Sequence, residues 1–437
     1  HPNQKPDPLA LARPPPRPAR PAPPRRPPPP PPPDAAGSAD PTAPGYLVDP
    51  YPHFEAAREH APVQFHPGGG VHMVFRYTDV KRALSDPALS SSEAYALDSP
   101  RNLRLKAAGA DNDYLLRPSL SKLDQPDHAP LRKLLARPFT PKNIKQYAAR
   151  AEQIVAEQLA GYGPGDEVDV IDRLAHPLPF RLVCEIFGIP TPPDAERLYY
   201  RTWAALNLLD PFLTPEQFTE FITAQREFSA YLRDVIEWKR GNLADDLLSG
   251  FIRAGDEGTV IGPDEVAATI HTLFVAGFDT TVNQLGISVL ALMRYRDQWE
   301  KLVDDPALLD NAIEELLRYE STAQLMIRIT KQDFAVAGSV IPAGNHLIAW
   351  IASANRDERH FGPTAGQLDI ARPNAREHIA FGHGAHACLG AWLARLELKT
   401  VLKALAETAP EMTLADTETK WASTPFIRGL AELRVVL

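Results

Sequence analysis

Cysteine is scarce in this sequence, and glycine is not enriched. The 437 residues contain 25 glycines and two cysteines, Cys184 and Cys388. Two cysteines so far apart cannot build a disulfide scaffold, and the glycine content is far below the one residue in three of collagen. Apolar residues make up 44% of the chain, which excludes a largely disordered protein. Most of the chain therefore folds around a core, and the scarcity of cysteine fits a reducing compartment.

The sequence also lacks a long uninterrupted apolar run. The stretch 266–278 has 13 residues and is closed by Asp279, whereas a membrane-spanning helix needs about 20 apolar residues. No apolar segment typical of a signal peptide occurs before residue 40. We therefore expect a cytoplasmic protein with no membrane partner.

Proline is abundant and unevenly distributed. Of the 45 prolines, 17 lie in the first 33 residues, where six Lys or Arg residues accompany one acid. This tail carries a charge of +5 and the whole chain −9, so the remainder carries −14. Proline runs cannot form helix or strand hydrogen bonds and adopt extended polyproline II. We interpret residues 1–45 as a disordered tail, either a linker or a ligand for a proline-binding groove, and residues 46–437 as a single domain with no nucleic-acid partner.

Helical periodicity dominates the predicted domain, and strand patterns are few and short. Because helices and strands do not alternate regularly, a doubly wound sheet is disfavoured. We predict a mainly α fold with a small β-sheet region and a long central helix. The predicted helices are 52–60, 78–84, 129–135, 141–159, 174–187, 215–239, 263–294, 308–319 and 390–407, and the predicted strands are 63–65, 71–75 and 347–351.

The strongest motif surrounds Cys388, directly before a predicted helix. Gly382 and Gly384 precede the cysteine and allow a tight loop. The free N–H groups and dipole of the following helix favour a thiolate. One cysteine cannot complete a structural zinc site, so the pattern indicates either a single-thiolate cofactor ligand or a nucleophile.

Four positions in this loop complete a known pattern. Phe381, Gly384, Cys388 and Gly390 match F-x-x-G-x-x-x-C-x-G, and the loop resembles that of the cytochrome P450 family of haem-thiolate monooxygenases. The resemblance extends over about residues 46–437. It implies the cytochrome P450 fold and a haem b cofactor (iron protoporphyrin IX), with Cys388 as the axial ligand of the iron. Thiolate ligation favours cleavage of the O–O bond over reversible oxygen binding.

Glu315 and Arg318 form a second motif, E-x-x-R, on a predicted helix. Alone it is weak, because ion pairs three residues apart are common on exposed helices. In the family this pair joins an arginine that precedes the cysteine loop, and Arg372 holds the matching position. The resemblance therefore implies a structural ion network in which a buried glutamate lies between two arginines.

The centre of the predicted helix 263–294 is a third motif. An acid and two threonines interrupt its apolar sequence, which costs stability unless they meet polar partners or a ligand. Ala276, Gly277, Asp279 and Thr280 match the family pattern A-G-x-D/E-T. The resemblance implies that Asp279 and Thr280 are catalytic and relay protons to bound oxygen. A kinked buried helix with a hydrogen-bonded aspartate is the alternative interpretation.

Basic residues at four positions match those that bind the haem propionates in the family. His128 and Arg132 are four residues apart and share one helical face, while Arg328 and His386 lie elsewhere in the sequence. Two carboxylates in an apolar pocket require such donors. The cofactor-binding residues that the resemblance implies are Cys388, His128, Arg132, Arg328, His386, Phe381, Gly382, Ala276, Gly277 and Gly390.

The resemblance also implies partners and a reaction. Electrons would come indirectly from NAD(P)H through a separate ferredoxin and ferredoxin reductase that dock on the Cys388 side. With two electrons and O2, the enzyme would hydroxylate a medium-sized small-molecule substrate of secondary metabolism. Gln324 is either a polar contact for this substrate or a side chain bonded to backbone. The substrate pocket implied by analogy contains Thr272, Val275, Ala276, Gln324 and Leu325.

Three alternatives remain at this stage. The same haem chemistry could end in oxidative C–C or C–N coupling instead of hydroxylation. The chain could also be an idle haem-binding module that carries a proline-rich recruiting tail. A hydrolase with a nucleophilic Cys388 is disfavoured, because no general base can be argued from the spacing and the haem motifs would be unexplained.

Overall fold

Helices dominate the fold, as the periodicity predicts. The computed structural model describes residues 38–96, 100–109, 119–192, 195–257, 263–416 and 418–437. Its α-helices are α1 (Tyr51–His60), α2 (Tyr77–Ser85), α3 (Pro100–Ala107), α4 (His128–Ala136), α5 (Pro141–Ile144), α6 (Ala148–Leu159), α7 (Pro177–Phe187), α8 (Glu196–Asn207), α9 (Pro215–Arg240), α10 (Leu247–Asp256), α11 (Pro263–Arg294), α12 (Arg296–Asp304), α13 (Leu309–Tyr319), α14 (Ile351–Ala354), α15 (Glu358–Phe361) and α16 (Ala391–Thr408).

The strands are short and form one five-stranded sheet and three smaller ones. The larger sheet has the order β1-β2-β8-β5-β3, in which only β2 and β8 are parallel neighbours. The smaller sheets are β4-β12-β9, β6-β7 and β10-β11. The strands are β1 (Val63–His66), β2 (Val71–Val74), β3 (Leu89–Ser90), β4 (Glu167–Asp169), β5 (Met326–Thr330), β6 (Phe334–Val336), β7 (Ser339–Ile341), β8 (His346–Ala349), β9 (Thr413–Leu414), β10 (Lys420–Trp421), β11 (Leu430–Glu432) and β12 (Arg434–Val436).

Helix α11 is the central element, with the bounds predicted from the sequence. Its side chains Phe274, Phe278, Leu285 and Leu292 are at most 1% exposed. By length and composition alone, 265–294 could cross a membrane, but 78% of its most apolar window is buried within the fold. This burial is typical of a core helix, which needs apolar residues all round because protein surrounds it.

Two predicted helices are interrupted. The prediction 141–159 is divided into α5, a 3-10 turn at Lys145–Tyr147 and α6. The prediction 174–187 begins too early, because Ile171–Ala175 forms a π-helical turn and α7 begins at Pro177. Proline lacks the N–H that would continue the preceding hydrogen-bond pattern, so it is tolerated in the first turn.

The predicted boundary between tail and domain is too late. Ala39 is fully buried, and its N–H donates to Oε1 of Gln64 at 3.0 Å. Nearby, Nε2 of His66 lies 3.2 Å from Oδ1 of Asp40. The folded domain therefore includes residues that precede 46, and the remainder of the predicted tail, 1–37, lies outside the described residues.

Candidate active site: the cysteine loop and the central helix

The loop before α16 is a tight turn closed on Cys388. The N–H of Cys388 donates to the carbonyl of Phe381 at 2.7 Å. Gly382 and Gly384 have φ angles of 72° and 76°, a region that favours glycine. A Cβ on Gly384 would lie 3.1 Å from the side chain of Ser85 in α2. Glycine at 384 therefore serves both the turn and the close approach of the loop to α2.

The Cys388 side chain borders open space deep in the protein. Its surface is accessible to water, yet dense surrounding protein raises the pKa of the thiol, while the N–H of Gly390 and the charge of Arg132 act in the opposite direction. Cys184 in α7 differs, because it is fully buried and burial raises its pKa to about 12. Of the two cysteines, only Cys388 is available to a ligand.

A strip of α11 is also open to an internal space. Ala276 is exposed, and Thr272 and Thr280, one turn before and after it, are partly accessible, although this part of the helix lies in the core. Residues four apart lie on one helical face. Gly277 is not on this strip, because a Cβ added to it would meet Val183 of α7 at 3.6 Å. The position of this Cβ, towards α7, does not support the expectation that Gly277 contacts the cofactor.

The two predicted catalytic residues differ in their surroundings. The hydroxyl of Thr280 donates to the carbonyl of Ala276 at 2.7 Å. Asp279 is 2% exposed, and its Oδ2 has no hydrogen-bond partner among the described residues. Burial raises the pKa of Asp279 well above its usual range, opposed only by an interaction with the hydroxyl of Thr202 in α8. Burial therefore favours the protonated form of Asp279, which is able to donate a proton.

The four predicted propionate-binding residues converge. The rings of His128 and His386 lie 4.3 Å apart, and Nη2 of Arg132 donates to the carbonyl of Ala387 at 2.7 Å. Burial, followed by the charge of Arg328, lowers the pKa of His386 to about 4. Burial likewise lowers the pKa of Arg328 to about 10. The structure thus brings together four side chains that are far apart in the sequence.

Among the described residues, this basic cluster has little acidic compensation. Nε2 of His128 is buried without a hydrogen-bond partner among the described residues. The guanidinium of Arg328 donates to its neighbour's carbonyl, and Asp124, which acts on it electrostatically, already accepts hydrogen bonds from Ser90 and from the N–H of Ser91. Buried cations normally require anionic partners. The cluster therefore fits a ligand that carries carboxylates.

The predicted ion network is present and completely buried. Arg318 donates from Nε and Nη2 to the two carboxylate oxygens of Glu315 at 2.7 and 2.8 Å, and Nε of Arg372 donates to the same carboxylate at 3.0 Å. Both arginines also bond backbone carbonyls, including that of Gln367. The network joins α13 to the segment that leads into the cysteine loop.

An adjacent ion cluster was not predicted. Glu314 accepts hydrogen bonds from Arg395 at 2.7 and 2.8 Å and lies 3.0 Å from Nε2 of His378. The guanidinium of Arg395 lies over the ring of Phe381, 4.6 Å from its centroid. Two successive glutamates on α13 thus hold both ends of the segment before Cys388. No motif in the sequence distinguishes Glu314 as the centre of an ion cluster, because it is one of several acids on this helix.

A second buried acid was also missed. Glu397 in α16 is fully buried, and neither of its carboxylate oxygens has a hydrogen-bond partner by distance and angle among the described residues. Burial raises its pKa well above the usual range, and the hydroxyl of Thr281 acts weakly against this. The sequence signal is an acid within the apolar face of an amphipathic helix.

The predicted pocket residues are divided between two environments. Thr272 and Ala276 lie on the open strip of α11, whereas Val275 is 5% exposed and Leu325 is fully buried. The amide of Gln324 donates to the carbonyl of Ser321 at 2.5 Å. This hydrogen bond agrees with the interpretation of Gln324 as a side chain bonded to backbone.

Comparisons with known proteins agree with this site. Residues 196–408 match the family model for cytochrome P450. The chain is 35% identical to cytochrome P450 monooxygenase PikC from Streptomyces venezuelae, over 89% of this chain and 91% of that protein. It is also 35% identical to the vitamin D(3) 25-hydroxylase of Pseudonocardia autotrophica, over 90% and 94% of the two chains.

The fold likewise has solved counterparts. The tirandamycin C-bound P450 monooxygenase TamI is similar with a TM-score of 0.80 and 33% sequence identity, over 90% of this chain and 98% of that one. The range 196–408 that matches the family model includes α11 and the cysteine loop. Together with the accessible Cys388 and the ion network, these matches identify the chain as a member of the cytochrome P450 family of monooxygenases.

Proposed function

We propose that this chain is a haem-thiolate monooxygenase that hydroxylates a medium-sized organic substrate of secondary metabolism. The observation that carries the proposal is the accessible Cys388 thiol, held at the start of α16 in a fold whose central helix presents an open strip. Several relatives are named for related work, including 6-deoxyerythronolide B hydroxylase and a polyketide biosynthesis cytochrome P450. These names support a substrate of polyketide-like size, and a cytoplasmic location is proposed with it.

The residues at the site fit haem b. Cys388 would ligate the iron, and the buried basic cluster of His128, Arg132, Arg328 and His386 would bind the propionates. When bound, the cofactor supplies oxygen activation, for which thiolate ligation is suited. Gly390 donates its N–H to the Cys388 sulfur, which stabilises the thiolate and limits its basicity.

In α11, Asp279 and Thr280 would hold and move protons. Burial raises the pKa of Asp279 and so favours the protonated carboxyl, which would carry the proton that a relay must deliver. Thr280 presents its hydroxyl on the open strip while donating to Ala276, which leaves its oxygen free to accept from a proton donor. Thr280→Ala should therefore reduce the product formed per electron pair consumed, and unchanged coupling would contradict this role.

The electron donor is proposed to be an acidic ferredoxin, supplied by a ferredoxin reductase that uses NAD(P)H. Four exposed cations of α4, α5 and the adjoining turn form no ion pair within the described parts of the chain, and Arg132 fastens α4 to the cysteine loop. Trp392, four residues after Cys388, is 49% exposed. In a domain of net negative charge, an apolar side chain near these cations suits an acidic protein partner. The four cations are Lys133, Arg137, Lys142 and Lys145.

Two measurements test the proposal. The reduced carbon monoxide complex should show the red-shifted Soret band of thiolate-ligated haem, and Cys388→Ala should abolish it. A chain without this band, or a variant that keeps it, would contradict the assignment. A screen of substrate-induced Soret shifts should then find a ligand, and product mass decides the reaction. A gain of one oxygen supports hydroxylation, whereas a loss of two hydrogens indicates coupling.

A further inference from the structure

Gln284 continues the face of α11 that carries the open strip. It lies four residues after Thr280, and residues four apart share one helical face. Ala276 is exposed and Thr280 is partly accessible, whereas Gln284 is only 3% exposed. The open strip therefore ends at Gln284, where another part of the chain covers the helix.

The cover is the segment 320–325, which joins α13 to β5. The amide N–H of Gln284 donates to the carbonyl of Glu320 at 2.9 Å, and its Oε1 accepts the N–H of Thr322 at 3.0 Å. The same nitrogen also donates to the hydroxyl of Ser288 in α11 at 3.2 Å. The first two hydrogen bonds, named here the Gln284 clamp, supply partners to backbone groups that burial would otherwise leave unsatisfied.

A turn near the end of the chain, 424–429, holds the same segment from a second side. The N–H of Arg428 donates to the carbonyl of Thr322 at 2.8 Å, and the hydroxyl of Thr322 donates back to the carbonyl of Arg428 at 3.0 Å. A Cβ added to Gly429 would lie 1.8 Å from Oδ1 of Asn283 in α11, so glycine allows the turn to reach the helix. Three segments thus meet at the end of the open strip.

The polar side chains of 320–325 are used to hold the segment itself. The hydroxyl of Ser321 donates to the carbonyl of Leu317 at 2.8 Å, and the amide of Gln324 donates to the carbonyl of Ser321. Ala323, which lies between Thr322 and Gln324, is partly accessible. This use of the hydroxyls and the amide within the protein favours a ligand that meets the segment with apolar surface.

We propose that Gln284 is a positioning residue for the substrate pocket, because its amide fixes 320–325 as the end wall of the open space along α11. The proposal rests on the proposed function, in which this space receives the substrate. A large ligand that packs against a fixed wall avoids the cost of ordering it. A ligand too small to reach the wall gains nothing from the clamp, so Gln284 acts on the selection of substrates by size and shape.

The test combines hydrogen exchange of 320–326 with ligand binding to the haem-loaded protein. Gln284→Met keeps the length of the side chain but removes both hydrogen bonds of the clamp, so 320–326 should exchange about five- to tenfold faster. The binding probes are imidazole and the bulky azole clotrimazole, whose nitrogens ligate haem iron and shift the Soret band. Affinity for clotrimazole should fall about five- to tenfold, whereas affinity for imidazole should stay within about twofold.

Two further variants separate positioning from general stability. Gln284→Glu at pH 6 offers a protonated carboxyl with the same two hydrogen-bonding positions, so it should restore both readouts towards those of the parent protein. The matched control is Gln298→Met in α12, which removes a comparable hydrogen bond, from the N–H of Ile370 to Oε1 of Gln298 at 3.0 Å. This control should change neither readout.

The clamp is wrong if 320–326 exchanges at the parent rate in Gln284→Met. The role of the end wall is wrong if exchange becomes faster while the ratio of the two affinities stays unchanged, or if Gln298→Met has the same effects. Where Gln284→Met does not fold, Gln284→Asn is one methylene too short for the clamp and gives the same readouts. Hydrogen exchange depends on neither catalysis nor substrate, so a failed monooxygenase assignment, which the carbon monoxide spectrum reports, is recognised separately.

Discussion

Two buried sets of ionisable side chains differ in how their charges are compensated. Around Glu315, two arginines donate hydrogen bonds to the carboxylate, and several backbone carbonyls accept the remaining N–H groups of these arginines. Along α11 and α16, Asp279 and Glu397 are buried without a charged partner among the described residues, and burial raises the pKa of both, which favours their neutral forms. Paired groups fix a geometry, whereas an unpaired acid can bind and release a proton. The difference separates the scaffold of this site from its chemistry.

The largest expected effect comes from breaking the paired set. Glu315→Gln leaves two buried guanidinium groups without a counterion, which should lower the free energy of unfolding by about 3–5 kcal/mol. Chemical denaturation of the haem-loaded protein measures this. The matched control on the same helix is Asp310→Asn, which removes an exposed ion pair with Lys399 and should cost less than about 1 kcal/mol. Equal losses in both variants would contradict the distinction.

Asp279→Asn should act on rate instead of stability. The amide preserves the shape but cannot donate an acidic proton, so turnover should fall by roughly 100-fold, within the range of general acid catalysis. Haem content and thermal midpoint should remain near those of the parent protein. The measurements are product formation under saturating electron donor and a thermal scan. Collapse of the fold with parallel loss of haem would assign Asp279 to the scaffold instead.

Glu314 should lose its contribution in acid. Hydrogen bonds from Arg395 and His378 outweigh burial and lower its pKa to about 2. This carboxylate therefore stabilises the fold above its unfolded pKa, and that contribution is lost as pH falls from about 4.5 towards 2. Glu314→Gln should cost about 2 kcal/mol at pH 7. Stability curves of both proteins should converge in acid, and a constant gap would contradict the pairing.

Glu397 should make the free energy of unfolding depend on pH in the opposite direction. Because burial raises its pKa, the folded state retains a proton that the unfolded chain releases. Its contribution to stability is present below the unfolded pKa and declines as pH rises towards the folded pKa, with a slope of up to about 1.4 kcal/mol per pH unit. Glu397→Gln removes this slope. Unfolding free energies of parent and variant between pH 5 and 8 should therefore diverge in favour of the variant, and parallel curves would contradict a neutral Glu397.

Elements that depend on a local sequence pattern could be predicted from the sequence. Helix α11 has its predicted bounds, and the cysteine loop needs glycines that are visible in its motif. Helix α8 is not among the helices predicted from the sequence. Its position depends on Asn207 and Asp210 meeting a turn more than 200 residues later, and no periodicity encodes such a contact.

The sequence by itself determined the family, the fold class and the identity of the thiolate, because those depend on short motifs with fixed spacing. Only the tertiary structure decided which acids are buried and so favour the neutral form, that a Cβ on Gly277 would meet Val183, and that Gln324 bonds to backbone. The physical reason is that protonation and accessibility depend on which distant segments exclude water from a side chain. That exclusion exists only once the chain has folded.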